Sequence, residues 1–126
     1  MIQAAAAEGG GVNDGSCAKC HKGCSDPHPA GRQATCVHCH GGDPTTEEVV
    51  DGVVLAHPKP KFPDAWQGSG NPERPYMLTM EEDREWVKFV NPGVLRVANE
   101  TCGPCHAKET LQVMKSLMNT SQHFWG

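Results

Sequence analysis

One five-residue pattern occurs three times in this chain of 126 residues. Two cysteines separated by two residues are followed at once by histidine in Cys17–His21 (motif one), Cys36–His40 (motif two) and Cys102–His106 (motif three). Two thiols at this spacing can add to the two vinyl groups on one edge of a porphyrin, and the next side chain can give an imidazole nitrogen to the iron. The pattern is that of c-type haem attachment, so the sequence predicts three haem c groups.

Chance does not account for three copies. Seven cysteines and seven histidines shuffled over 126 positions would give roughly 0.02 copies of the pattern. The predicted thioether residues are Cys17, Cys20, Cys36, Cys39, Cys102 and Cys105, and the predicted proximal iron ligands are His21, His40 and His106. Cys24 stands outside the motifs and is predicted to mark a turn near the first haem.

Two other interpretations of the cysteines fit less well. Zinc modules usually combine one Cys-x-x-Cys with a second pair or with two histidines, and a tetrahedral site does not need histidine directly after every second cysteine. Cys102–Cys105 taken alone also matches a thioredoxin-type redox motif. Such a motif follows an apolar β-strand, and the residues before Cys102 do not form a long enough apolar run. A zinc-binding structural module is therefore the least favoured alternative.

Composition predicts one small domain with a thin core of its own. The chain is 37% hydrophobic and contains 14 glycines and 10 prolines, so the polypeptide alone buries little apolar surface to offset its ordering entropy. Three porphyrins would supply the missing apolar mass. We expect a mainly irregular and α-helical fold, with few short helices wrapped around three covalently bound haems and little or no β-sheet. Residues 1–15 are expected to form a flexible arm and residues 16–126 a single trihaem domain.

Charge and hydropathy exclude several partners. The net charge is −4 without a basic run, which argues against nucleic-acid binding, and no apolar stretch reaches the length of a membrane span. Haem c is attached outside the cytoplasm, and the small residues Ala4–Ala7 are typical of the tail of a removed signal. The expected location is periplasmic or extracellular.

The segment after motif two carries the signals of a helix. Asp43 followed by proline predicts an N-cap, and valines at helical spacing lead to His57, which would lie on the apolar face. Residues 58–75 are rich in proline and are predicted to form a long loop.

Two further helices are predicted in the second half of the chain. Thr79 and Glu82 resemble a capping box that starts a helix ending before Asn91. The last helix is predicted over residues 107–120, with Leu111 and Leu117 on an apolar stripe that should cover the third haem.

The second axial ligand decides what each iron can do, because an iron with two protein ligands has no open position. Among histidines outside the proximal three, His57 is the best candidate and His28 the next, and both are within chain reach of haems one and two. His38 is a weak candidate, since it sits beside the edge of its own porphyrin. The methionines are more typical of packing than of ligation: Met77, Met80, Met114 and Met118.

His123 is the remaining candidate for a distal ligand. If most of the segment from His106 to His123 is helical, it advances roughly 25 Å, too far to return to the opposite face of the same porphyrin. His123 should therefore serve a different iron, and a ligand exchanged head-to-tail between copies would produce a filament. A surface position in a frayed terminus is the alternative.

Several segments resemble the multihaem c-type cytochromes of anaerobic respiratory bacteria. The resemblance covers residues 17–57 and 102–123, and the segments that carry it are Cys36–Thr45, Ala56–His57, Cys102–Ala107 and Ser116–Met118. It implies electron transfer through closely spaced haems, mostly with two histidines on each iron. It also implies other redox proteins or copies of the chain itself as partners, or membership in a larger multihaem complex.

We therefore expect an electron carrier in a respiratory or extracellular electron-transport chain rather than an enzyme. The alternative is a haem enzyme that reduces a small oxyanion at a haem with an open axial position.

Overall fold

The computed structural model describes residues 15–24, 28, 34–66 and 75–120. Within these ranges the chain is helical or irregular except for one two-stranded hairpin, which confirms the mainly α and irregular fold expected from composition. The expected arm, apart from Gly15, and His123 lie outside these ranges. No helix within them is long and apolar enough to cross a membrane.

The first two helices are single turns that carry motifs one and two. Helix α1 spans Ser16–Cys20 and helix α2 spans Cys36–His40. Thr35 caps α2, because its hydroxyl accepts a hydrogen bond from the His38 amide at 3.2 Å. Both helices end where the backbone changes conformation, at His21 and at Gly41, whose φ is 70°.

The helix predicted from Asp43 to His57 is wrong, because this segment forms a β-hairpin. Strand β1 (Val49–Val50) pairs antiparallel with β2 (Val53–Val54). Asp51 and Gly52 form the turn with φ angles of 51° and 80°, and Asp-Gly between β-branched residues is a strong hairpin signal. Asp43 does not cap a helix; its carboxylate accepts from the Thr45 amide at 2.8 Å and from the Thr45 hydroxyl at 2.6 Å.

The region predicted as one helix after Thr79 contains two. Helix α3 spans Pro75–Glu81 and begins earlier than predicted, with proline at its first position. Helix α4 spans Arg84–Val90 and ends before Asn91, as predicted. Glu82 is not part of a capping box; it lies between the helices with 1% of its surface exposed. A 3₁₀ helix, Pro63–Trp66, interrupts the predicted loop.

The described chain from Ala98 onwards is helical but is interrupted between three helices. Helix α5 spans Ala98–Thr101, α6 spans Gly103–Met114 and α7 spans Leu117–Thr120. The single helix predicted over residues 107–120 is thus interrupted after Met114. The predicted stripe faces outward, since Leu111 and Leu117 are 51% and 58% exposed.

The core takes its buried side chains from the 3₁₀ helix, from α4 and from the start of α5. Among the described residues, the buried hydrophobic side chains are Trp66, Val87, Val97 and Ala98. The Trp66 and Trp86 rings meet edge to face with centroids 5.6 Å apart, and the Trp86 ring lies 5.5 Å from that of Phe89. This aromatic row leads from the core towards the segment that carries His57.

Candidate functional site

All three motifs place their cysteines in a helical turn and their histidine at its end. The two cysteines of each motif are three residues apart, which puts them on one side of a helical turn. The His21 amide donates to the Cys17 carbonyl at 2.8 Å, and the His106 amide donates to the Cys102 carbonyl at 2.7 Å. The cysteines are half-buried or exposed: Cys17, Cys36, Cys39 and Cys102 are half-buried, and Cys20 and Cys105 are exposed. None of these six cysteines is therefore completely buried in the described part of the chain.

Motif one is anchored to the segment that precedes the hairpin. The Ser16 amide donates to the Pro44 carbonyl at 2.9 Å, and Lys19 forms an exposed ion pair with Glu47. A Cβ on Gly15 would lie 2.1 Å from the Pro44 oxygen, so this close approach requires glycine. These contacts fix α1 against the chain that leads into the hairpin.

The histidine of motif two is oriented by a hydrogen bond. His40 Nδ1 lies 2.7 Å from the backbone oxygen of Phe89. A carbonyl oxygen only accepts hydrogen bonds, so Nδ1 donates and Nε2 is the nitrogen that could bind a metal. His38 has another role: its Nδ1 accepts from the Thr35 amide at 3.1 Å, completing a capping box. The Thr35-x-x-His38 spacing is the sequence signal that could have predicted this role.

Motif three begins at the junction of α5 and α6. His106 has non-helical backbone angles, with φ −123° and ψ 44°, and kinks α6 at its second turn. The Thr110 hydroxyl donates to the His106 carbonyl at 3.0 Å and to the Ala107 carbonyl at 3.1 Å. These hydrogen bonds satisfy carbonyls next to the kink.

Two of the motif histidines each lie near a histidine from outside the motifs. The ring centroids of His21 and His57 are 6.0 Å apart with planes at 32°, and those of His28 and His106 are 6.4 Å apart with planes at 20°. Two imidazoles bound to opposite sides of one metal would have ring centroids roughly 6 Å apart. Each side contributes a metal–nitrogen bond of about 2.0–2.1 Å and about 1.1 Å from that nitrogen to the ring centre. Ordinary ring pairs span the same distances. The informative feature is that each pair joins one motif histidine to one distal candidate.

His57 occupies a structured, partly buried position. The His57 amide donates to the Val54 carbonyl at 3.2 Å, and its ring lies 4.7 Å from the Phe89 ring. Burial, and next the nearby His21, lower the pKa of His57 below its ordinary value. A lowered pKa keeps the imidazole neutral, the form that binds a metal. A pocket of about 310 Å³ adjoins His57 and is bounded partly by Gly42, Ala56 and Lys88.

The other predicted ligands are placed differently or lie outside the described ranges. Met77 and Met80 are 57% and 56% exposed on α3, and Met114 is half-buried at the end of α6. The Met118 side chain and His123 fall outside what the structure describes. Cys24 is exposed in the irregular segment after motif one.

The donor set fits covalent haem. Each motif presents two thiols and a histidine, and two motifs have a second imidazole at a suitable distance. Within residues 15–24, 28, 34–66 and 75–120, no group of three or more His, Cys, Asp or Glu side chains is arranged to hold a bare metal ion. The chain matches no protein-family model, no curated protein and no solved structure.

Proposed function

We propose that the protein is an electron carrier with three haem c groups. The thioethers would form on the cysteines of the three motifs, and His21, His40 and His106 would be the proximal iron ligands. Bound haem supplies a one-electron iron couple. The chain would hold each porphyrin in place and, at motifs one and three, would supply two imidazoles to its iron.

The pairing of motif histidines with distal histidines carries this proposal. His21 lies 6.0 Å from His57, and His106 lies 6.4 Å from His28, measured between ring centroids. Two imidazoles on one iron leave no position for a substrate, so such haems transfer electrons. This arrangement favours a carrier over an enzyme for at least haems one and three.

The distribution of apolar side chains also supports the proposal. Large hydrophobic side chains of the hairpin and of α6 and α7 are exposed, among them Val49 at 57%, Val113 at 50% and Leu117 at 58%. The buried hydrophobic core of the described ranges is small by comparison. Exposed apolar surface of this kind is costly in water unless another apolar group covers it. Porphyrin faces held by the three motifs would provide such cover.

The proposed location and partners follow from the chemistry of attachment. Haem c is attached outside the cytoplasm, so the protein would work in the periplasm or outside the cell, in a respiratory or extracellular electron-transport chain. Its partners would be other redox proteins or copies of itself, including a larger multihaem complex.

Haem content tests the proposal directly. Expressed in a host that attaches haem c, the denatured protein should gain the mass of three haem groups and stain for haem after denaturing electrophoresis. Cys102→Ala combined with Cys105→Ala should remove one haem. Cys24→Ala is the matched control, since Cys24 lies outside the motifs and its loss should leave three haems. A denatured chain with the mass of the bare polypeptide would contradict the proposal.

A second candidate function concerns haem two. Within residues 15–24, 28, 34–66 and 75–120, no second histidine ring lies beside His40 as one does beside His21 and His106. The iron at motif two is therefore the one where a small oxyanion could bind and be reduced. Carbon monoxide added to the reduced protein separates the two functions. A carrier with all irons closed binds none, whereas one equivalent bound per chain would favour the enzyme.

A further inference from the structure

We propose that the axial ligation crosses between the motifs: His57 is the distal ligand of the haem at motif one, and His28 is that of the haem at motif three. This inference rests on the proposed function, since it concerns the irons of covalently attached haems. It assigns each distal histidine to a particular haem, which the order of residues along the chain does not do.

Sequence order alone leaves the assignment open. His57 follows motif two, and His28 lies between motifs one and two, so chain reach favours haems one and two for these histidines. In the structure, the rings near His57 include those of His21 and Phe89, and a ring near His28 is that of His106. His28 thus lies beside a motif that chain reach does not favour, and His57 lies beside motif one rather than beside motif two, which it follows.

The path of the chain explains how His57 reaches motif one. The segment after motif two turns back on itself, because the Asp43 amide donates to the Ala56 carbonyl at 2.9 Å and the Leu55 amide donates to the Glu48 carbonyl at 3.0 Å. The start of this segment is hydrogen-bonded to α1 through Pro44 and Ser16 at 2.9 Å. Closing the hairpin therefore brings His57 to the helix that carries motif one.

Phe89 contacts both His57 and the histidine of motif two. The Phe89 ring lies 4.7 Å from the His57 ring, while the backbone oxygen of Phe89 accepts from His40 Nδ1 at 2.7 Å. The hydrogen bond turns Nδ1 of His40 towards Phe89, whereas the histidine ring paired with that of His57 belongs to His21.

This pattern of ligation also has a consequence for how the haem sites assemble. The haem at motif three needs His28 from the N-terminal half of the chain, and the haem at motif one needs His57 from beyond motif two. Neither haem is completed by its own segment, so both axial sites form only when distant parts of the chain come together.

Spin state in combined variants tests the assignment. In the ferric protein, His57→Ala should convert one haem per chain from low to high spin in the electron paramagnetic resonance spectrum, and added imidazole should restore low spin. The same substitution made together with Cys17→Ala and Cys20→Ala, which removes haem one, should produce no new high-spin haem. If it produces one, His57 serves another iron and the proposal is wrong.

His28→Ala is tested in the same way. It should convert one haem per chain to high spin, and combined with Cys102→Ala and Cys105→Ala, which remove haem three, it should produce no new high-spin haem. His38→Ala is the matched control, because His38 caps α2 and should leave every spin state unchanged. A variant that has lost its haems altogether is recognised by its mass, which separates failure of the proposed function from failure of this assignment.

Nuclear magnetic resonance of the wild-type protein provides a test that does not depend on removing a haem. Fully reduced low-spin haem is diamagnetic, so ring protons of isotopically labelled histidines can be correlated with those of the porphyrins. We expect His57 to show nuclear Overhauser effects to the porphyrin that also contacts His21, and His28 to the one that contacts His106. Effects from His57 to the porphyrin of His40 would overturn the assignment.

Discussion

The backbone oxygen of Phe89 lies 2.7 Å from Nδ1 of His40, although the two residues are far apart in the chain. A hydrogen bond of this kind fixes the tautomer and the orientation of an imidazole and leaves Nε2 for a metal. Helix α4 therefore does more than cover the core. Through one residue, it orients the histidine of motif two and packs against His57, the candidate for a distal ligand.

Replacing Phe89 should weaken both the fold and the position of His57. Phe89→Ala removes a half-buried ring that lies 4.7 Å from His57 and 5.5 Å from Trp86. We expect a loss of about 2 kcal/mol in the free energy of unfolding, below the range for a completely buried phenylalanine. Denaturant titration measures the loss. Phe89→Leu keeps apolar bulk and should cost about 1 kcal/mol; no loss in either variant would show that the ring contacts are unimportant.

Glu82 stabilises the connection between α3 and the preceding loop. Its carboxylate accepts hydrogen bonds from the Trp66 indole at 2.9 Å, the Phe62 amide at 3.2 Å, the Asp83 amide at 3.1 Å and the Lys61 amide. Glu82→Ala would leave these donors without their acceptor and should lower the free energy of unfolding by about 3 kcal/mol.

Glu82→Gln is the matched control, since it keeps one acceptor oxygen in nearly the same volume. We expect a loss of about 1–2 kcal/mol, smaller than that of the alanine variant. Denaturant titration compares the two variants at neutral pH. If they lost equal stability, the hydrogen bonds would not be the source of the effect.

The same carboxylate should make stability depend on pH. Burial raises the pKa of Glu82, but the hydrogen bonds from Lys61, Asp83, Trp66 and Phe62 outweigh it, and the pKa falls below its ordinary value of 4.5. A pKa that is lowered in the folded state stabilises the fold at pH values above the ordinary pKa. This contribution is lost as the pH falls through the folded-state pKa.

The difference in unfolding free energy between the wild type and Glu82→Gln separates the contribution of Glu82 from that of the other titrating groups. We expect the gap in unfolding free energy to narrow as the pH is lowered from about 7 to about 3. Denaturant titrations at several pH values measure it. A gap that stays constant over this range would contradict the lowered pKa.

The sequence predicted the mainly irregular and α-helical fold, but in one segment two local patterns favoured different structures. Asp43-Pro44 and the spacing of the valines favoured a helix, whereas Asp51-Gly52 between pairs of valines favoured a hairpin. The hairpin formed because a turn with two positive φ angles and β-branched flanks outweighs a helix with glycine in its interior.

The histidine pairs could not be predicted from the sequence for a different reason. His28 and His57 were identifiable as candidates, since few other histidines lie outside the motifs. Their neighbours depend on tertiary contacts such as the one between Ser16 and Pro44, which no local pattern encodes. The role of Glu82 was missed similarly, because its donors come from a loop distant in sequence.

Gly42 should be critical for the position of His57. Its φ is 81°, and a Cβ at this residue would lie 2.6 Å from the Ala56 oxygen, directly before His57. Gly42→Ala therefore combines left-handed backbone strain with a clash against backbone that cannot move without moving His57. We expect a loss of about 3 kcal/mol in unfolding free energy and, in the haem-loaded ferric protein, an increased high-spin fraction.

Gly52→Ala is the matched control for the clash. Gly52 has nearly the same φ, 80°, but a Cβ there would meet no atom within 4 Å. This variant should cost about 1–2 kcal/mol from backbone strain alone. Its spin state should remain that of the wild type, because the tip of the hairpin can strain without displacing Ala56. Denaturant titration and electron paramagnetic resonance on both variants separate the backbone strain from the clash. Similar spectra for Gly42→Ala and the wild type would mean that the approach of Gly42 to Ala56 does not position His57.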